Sequence, residues 1–328
     1  MPENPKVFIH GTLVELCTRT EQGLPFAPTP YIRLIWLSIL ARAQTMYPLT
    51  ICHALLMANH VHLLVIIQNP AHVPKFVEYL KRELAHAVNH LLGNPRATVW
   101  EEGYDSPVIL DAAKAIERIA YCYANCSEAA LAQSIDDYPN WSTWSDFLSA
   151  APTEITVPRI ARNDIPELPL KTLSFAEQED FARELEAKGK EHYVLRIEPD
   201  AWMKCFSDEL AGTTAEQNNE LVVKRIREKE ADAKKNRNGP VVGAHALRLQ
   251  SMRRQYRPTK RGKKMLCLAS FVSRRKRYVG WFKQQLFRIK EAKLLSLPAL
   301  WRAARPPGFF MPGGFLCASV NPAFVPLA

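Results

Sequence analysis

No apolar stretch in this 328-residue chain reaches the ~18–20 residues of a membrane-spanning helix. The longest, residues 55–67, is broken by Asn59, His60 and His62. Residues 1–6 are polar and carry Pro2 and Pro5, without the order of a secretory signal. Cysteine is sparse: seven, at positions 17, 52, 122, 126, 205, 267 and 317. The number is odd and the spacing scattered. Cys122 and Cys126 have no second pair to complete a zinc site. There is no internal repeat. These absences speak against membrane, disulfide-framework and zinc-ribbon classes. They imply reduced thiols in a cytoplasmic protein with no membrane partner.

What is present is a hydrophobic fraction of 47%, enough for one substantial core or two modest ones. The net charge of +10 is unevenly spread. Residues 1–150 hold 10 Lys and Arg against 14 Asp and Glu. The remainder is strongly basic, and residues 224–305 hold 25 basic and 4 acidic side chains. Such a segment complements a polyanion, most often nucleic acid.

Residues 7–16 read as a strand, 30–47 as a helix, and 49–54 and 55–67 as two tightly joined strands. Residues 74–92 form a helix with proline at its start and Gly93 just past its end. Residues 108–110 suit a short strand, and Asp111 suits the N-cap of a helix over 111–124. This β-α-β-β-α-β order predicts an α+β, ferredoxin-like antiparallel sheet. After residue 150 the composition shifts. The expected division is a catalytic domain over 1–150, a linker with charged helices over 151–240, and a mostly helical basic nucleic-acid-binding region over 241–328.

The sharpest motif is Met57-Ala58-Asn59-His60-Val61-His62-Leu63-Leu64-Val65. In a strand, residues two apart share a face, so His60 and His62 project together while Val61, Leu63 and Val65 meet a core. Two imidazoles on a rigid strand supply part of a metal site. A further ligand must come from another element. Imidazole with oxygen donors suits Mg²⁺ or Mn²⁺ in phosphoryl transfer.

Through these residues the chain resembles the REP-associated tyrosine transposases, the single-tyrosine HUH members of the IS200-like superfamily. The likeness continues in Val88-Asn89, Val99-Trp100-Glu101, Tyr121-Cys122-Tyr123-Ala124-Asn125 and Tyr138-Pro139-Asn140-Trp141. A weaker likeness runs through 246–318. The resemblance implies metal-assisted cleavage and rejoining of single-stranded hairpin DNA through a phosphotyrosine intermediate. It leaves a homodimer open.

An ungapped count from His62 puts the family's tyrosine slot near Leu84, which has no nucleophile. Tyr79 lies on the same helix, and Glu83 is four residues on, so they share a face. Tyr79 is therefore the expected nucleophile, with Glu83 as third metal ligand beside His60 and His62. Tyr104 is the reserve nucleophile. His86, Asn89 and His90 are alternative ligands, and Glu15 on the first strand is a further residue able to face the site. Cys126-Ser127 and Ala130 stand where the family usually has Pro-Val and glycine. These departures, with Leu84, keep a catalytically impaired or domesticated hairpin-binding descendant as the alternative.

In the basic region Arg253, Arg254, Arg257, Lys260, Arg261, Arg274, Arg275, Lys276 and Arg277 are the expected nucleic-acid contacts. They are interleaved with Tyr256, Tyr278, Trp281 and Phe282. Phosphate contact with base stacking suits this pattern, although Trp281 and Phe282 read better as core.

Overall fold

The first strand, β1 (Lys6–Val7), is short, and β2 (Leu13–Arg19) follows it. Thr29 then starts α1 (Pro30–Met46) by accepting the Ile32 N–H, with Pro30 supplying the preset φ of a first helical position. Two strands follow, β3 (Thr50–Leu56) and β4 (His60–Ile66), then α2 (His72–Leu92), closed by Gly93 at φ 62°. Next come β5 (Val108–Ile109) and α3 (Ala112–Glu128), capped by Asp111 as expected. The rest of the chain adds α4 (Trp144–Ser149), β6 (Thr153–Pro158), α5 (Phe175–Ala187), β7 (His192–Ile197), α6 (Ala215–Asn236), α7 (Ala244–Arg248), β8 (Cys267–Leu268), α8 (Val272–Leu294) and β9 (Phe309–Phe310). These elements come from a computed structural model that describes residues 6–21, 26–94, 97–253, 265–294 and 309–310.

Seven strands form one sheet in the order β6-β7-β3-β4-β2-β5-β8. Its centre, β3-β4-β2-β5, has the strand order and antiparallel pairing of the ferredoxin-like pattern, so the α+β expectation holds. Both crossover helices, α1 and α2, lie on one face. There Val14, Leu16, Val61, Leu63 and Val65 join Phe76, Leu80, Leu84 and the α1 apolar residues in one core. The opposite face carries Leu13, Leu55 and Leu64, which pack with Ile116, Ile119, Tyr123 and Phe147 of α3 and α4. Val222 and Ile226 of α6 join that second core.

The stretch expected to be a linker, 151–240, is integral to both cores. Its β6 and β7 extend the sheet beyond β3, with Ile197 beside Ile51. Its apolar residues Val157, Leu195 and Ile197 are buried in the first core. A boundary at 150 therefore cuts a continuous sheet. The basic region also contributes a strand, since β8 pairs in parallel with β5.

One carboxylate joins the start of α3 to the start of α8. Asp111 accepts the Lys114 N–H on Oδ1 and the Ser270 N–H on Oδ2, each at 2.7 Å. Glu209 supports the same corner by accepting the Ala112 N–H and pairing with Arg274. No helix among the described residues is long and apolar enough to cross a membrane. Cys17, Cys52, Cys122, Cys126, Cys205 and Cys267 are free thiols.

Candidate active site

In β4 the alternation works as the sequence indicates. His62 pairs across to Cys17 of β2 and Arg19 pairs with His60, so both imidazoles leave the sheet on the face covered by α3. Their rings lie 4.9 Å apart. Each Nδ1–H is committed to an acceptor: His60 donates to Asn59 Oδ1 and His62 to Glu15 Oε1, both at 2.7 Å. That leaves Nε2 of each ring for a further partner. Burial, with His62 and Arg19 adding to it, holds the His60 pKa well below its usual value, so the ring is neutral.

Helix α3 brings two further groups. Asn125 Nδ2 lies 3.1 Å from His62 Nε2, and Asn125 also bonds to His60. One turn earlier on the same face, the Tyr121 ring stands 5.9 Å from the His62 ring. Arg118 packs its guanidinium 3.9 Å over the Tyr121 ring. The Glu15 carboxylate completes the arrangement, accepting from Arg118 Nε and from Nη2 at 2.9 Å while it holds His62. Burial raises the Tyr121 pKa and Arg118 counters it in part, so the hydroxyl is protonated near neutral pH.

No group of three or more His, Cys, Asp or Glu among the described residues is arranged to hold a metal ion. The donor set is instead two imidazole nitrogens and one amide. Turning the Asn125 amide over exchanges its nitrogen for its oxygen at the same position. Two imidazoles and an amide oxygen fit a divalent cation with open coordination positions.

The other expected residues lie elsewhere. Tyr79 and Glu83 do sit together, but on α2, against the face opposite His60 and His62. Tyr79 is buried against Tyr47, and Glu83 pairs with Arg162 and Arg82. The physical reason is the alternation itself. An amphipathic helix covers the apolar side of β4, which is the side without histidines. Among the alternatives, Asn89 bonds the Ala97 carbonyl, and His86 and His90 lie on α2 as well. Tyr104 sits under Lys6. Glu15 does face the site. Tyr121 and Asn125 are the residues that helix-by-helix reasoning missed. Their i, i+4 spacing behind an Asp cap was the available signal.

Of the expected nucleic-acid contacts, Arg253 bonds the Leu92 and Leu168 carbonyls, and Arg274 bonds Leu110 O and Glu209. These two hold the fold together. Arg275, Lys276 and Arg277 are exposed on α8. Arg254, Arg257, Lys260 and Arg261 lie outside the described residues. Tyr278 and Phe282 are each buried, in separate apolar clusters, so neither is a stacking platform.

Residues 30–121 match the family described as Transposase IS200 like, in line with the resemblance seen in the sequence. No curated protein matches the chain. A solved structure, of a REP-associated tyrosine transposase bound to a REP hairpin, is 14% identical with a TM-score of 0.40. That match covers 45% of this chain and 86% of the other.

Proposed function

Starting from the IS200-like transposase match over residues 30–121, we propose that this protein cleaves and rejoins single-stranded hairpin DNA, with Tyr121 as the nucleophile. The observation that carries this reading is Tyr121 and Asn125 on one face of α3, turned toward His62. Hairpin-forming single strands are the substrate the sequence resemblance implies.

His60, His62 and Asn125 would hold a divalent ion, Mg²⁺ or Mn²⁺. When bound, such an ion polarises the scissile phosphate. Glu15 keeps His62 in its ligating tautomer. Arg118, fixed by the same carboxylate, stabilises negative charge as it grows on the Tyr121 oxygen. That oxygen bonds to phosphorus, the bond from phosphorus to the 3′ oxygen breaks, and the hydroxyl proton ends on the released 3′-hydroxyl. Rejoining reverses these steps.

The impaired-descendant alternative drew on the leucine at position 84. With Tyr121 at the histidine face, Leu84 is a core residue and that motive disappears. The Cys126-Ser127 departure is also accommodated. Cys126 donates to the Tyr123 carbonyl and Ser127 to the Gln133 carbonyl.

The test uses the full chain, Mn²⁺ and a hairpin with single-stranded flanks. A covalent protein–DNA adduct stable to denaturing electrophoresis is expected from the wild type and from Tyr79→Phe. It should be absent from Tyr121→Phe and His60→Ala. An adduct that survives Tyr121→Phe rejects the assignment.

A further inference from the structure

Tyr121 also lines a cavity of about 280 Å³ between α3, α6, β8 and the start of α8. That lies near the lower end of ligand-pocket sizes, about 300 Å³. Cations from three elements line it: Lys114 and Arg118 on α3, Lys229 on α6 and Arg275 on α8. Two of the four are already compensated. Lys114 pairs with Glu117 at 2.5 Å, and Arg118 is held by Glu15. Lys229 and Arg275 form no ion pair among the described residues. Glu117 is the one carboxylate in the lining and it faces Lys114 and Lys229, so the cavity carries an excess of positive charge beside the Tyr121 hydroxyl. Met265 and Leu268 add an apolar patch. The complement is an anion with an apolar part, which describes a nucleotide unit.

We propose that this cavity holds the sugar-phosphate next to the attacked bond, with Lys229 and Arg275 contacting backbone phosphates of a single strand. The inference rests on Tyr121 being the nucleophile. It adds that two segments outside the family-matched residues 30–121 build the substrate path. The basic C-terminal half then acts at the reacting phosphate rather than as a separate clamp.

The test measures binding of a single-stranded oligonucleotide spanning the cleaved bond, using full-length Tyr121→Phe over a range of salt. Adding Lys229→Ala and Arg275→Ala should weaken binding roughly tenfold. The slope of log affinity against log salt should fall by about 1.4, at about 0.7 for each single-strand phosphate that is no longer neutralised. A scan with neutral methylphosphonates gives the position. Substitution of either phosphate that these two side chains contact, next to the cleaved bond, should weaken binding to Tyr121→Phe and leave the triple variant unaffected. An unchanged slope, or a scan with the same profile in both proteins, overturns the proposal. Adduct formation by the wild type is read separately. An adduct with an unchanged slope rejects the cavity and keeps the nucleophile. A reduced slope with no adduct keeps the cavity as a phosphate site and rejects the nucleophile.

Discussion

Glu15 has no exposed surface and is still held ionised. Burial pushes its pKa up, but the bonds and charges of His62 and Arg118 outweigh that and hold it below the usual carboxylate range. Its stabilising effect is present above its free pKa of 4.5 and is lost as pH falls through the lower folded value. Glu15→Ala strands Arg118 and should cost about 3–5 kcal/mol in denaturant melts. His53 is a second buried titrating group, bonded to the Tyr123 hydroxyl and pushed down to about 3 by burial. Its Nε2 has no partner among the described residues. The unfolded chain takes up this proton first as pH falls. Stability should therefore decline from about pH 6.5 toward about 3, by up to about 1.4 kcal/mol per pH unit. His53→Phe should flatten that slope by one proton in stability titrations. Ala130 occupies left-handed backbone at φ 54°, where the sequence resemblance expects glycine. Relief of that strain, less the added chain entropy of glycine, predicts that Ala130→Gly raises stability by up to about 1 kcal/mol. A lower melting temperature would contradict this. Tyr121 titrates above its usual value, so the adduct rate should climb between pH 7 and 9 without reaching a plateau. Arg118→Leu should slow it at every pH, and a flat profile would show that tyrosine deprotonation does not limit the rate.

At the scale of elements, the histidine strand and the first three helices were legible in the sequence to within a few residues. Period-two alternation identified which β4 residues share a face, and Asp111 and Gly93 marked helix ends through their capping chemistry. What failed was the choice of helix. Nearness along the chain favoured α2, which directly follows β4. Yet α2 needs an apolar surface, and β4 offers that surface on the side of Val61, Leu63 and Val65. Applied consistently, the same alternation argument sends α2 away from His60 and His62 and leaves their face to a later helix. Charge runs were legible as composition only. A run of arginines does not reveal that Arg253 and Arg274 are spent on main-chain carbonyls. Nor does it reveal that Arg275 stands beside Tyr121 in one cavity.

Across the whole molecule, proline and composition shifts suggested a domain edge at 150. The sheet runs through it, because a two-strand extension needs few residues and little periodicity to dock on β3. A protein cut at 150 loses β6, β7 and the α6 face that covers Ile116 and Tyr123. It should be insoluble or lack a cooperative melt, and a sharp thermal transition in that fragment would contradict the shared core. The contrast between a near-neutral first half and a basic second half therefore does not separate two independent bodies.

The double use of Asp111 has a dynamic consequence. The cavity wall formed by β8 and α8 swings free only if the Ser270 N–H leaves this carboxylate. The same side chain terminates α3, the helix that carries Tyr121. Movement of that wall and fraying of the first turn of that helix therefore both draw on one carboxylate. The amides of Lys114 and Ser270, far apart in sequence, are both protected from hydrogen exchange by this one side chain. Asp111→Ala should lower the protection of both together.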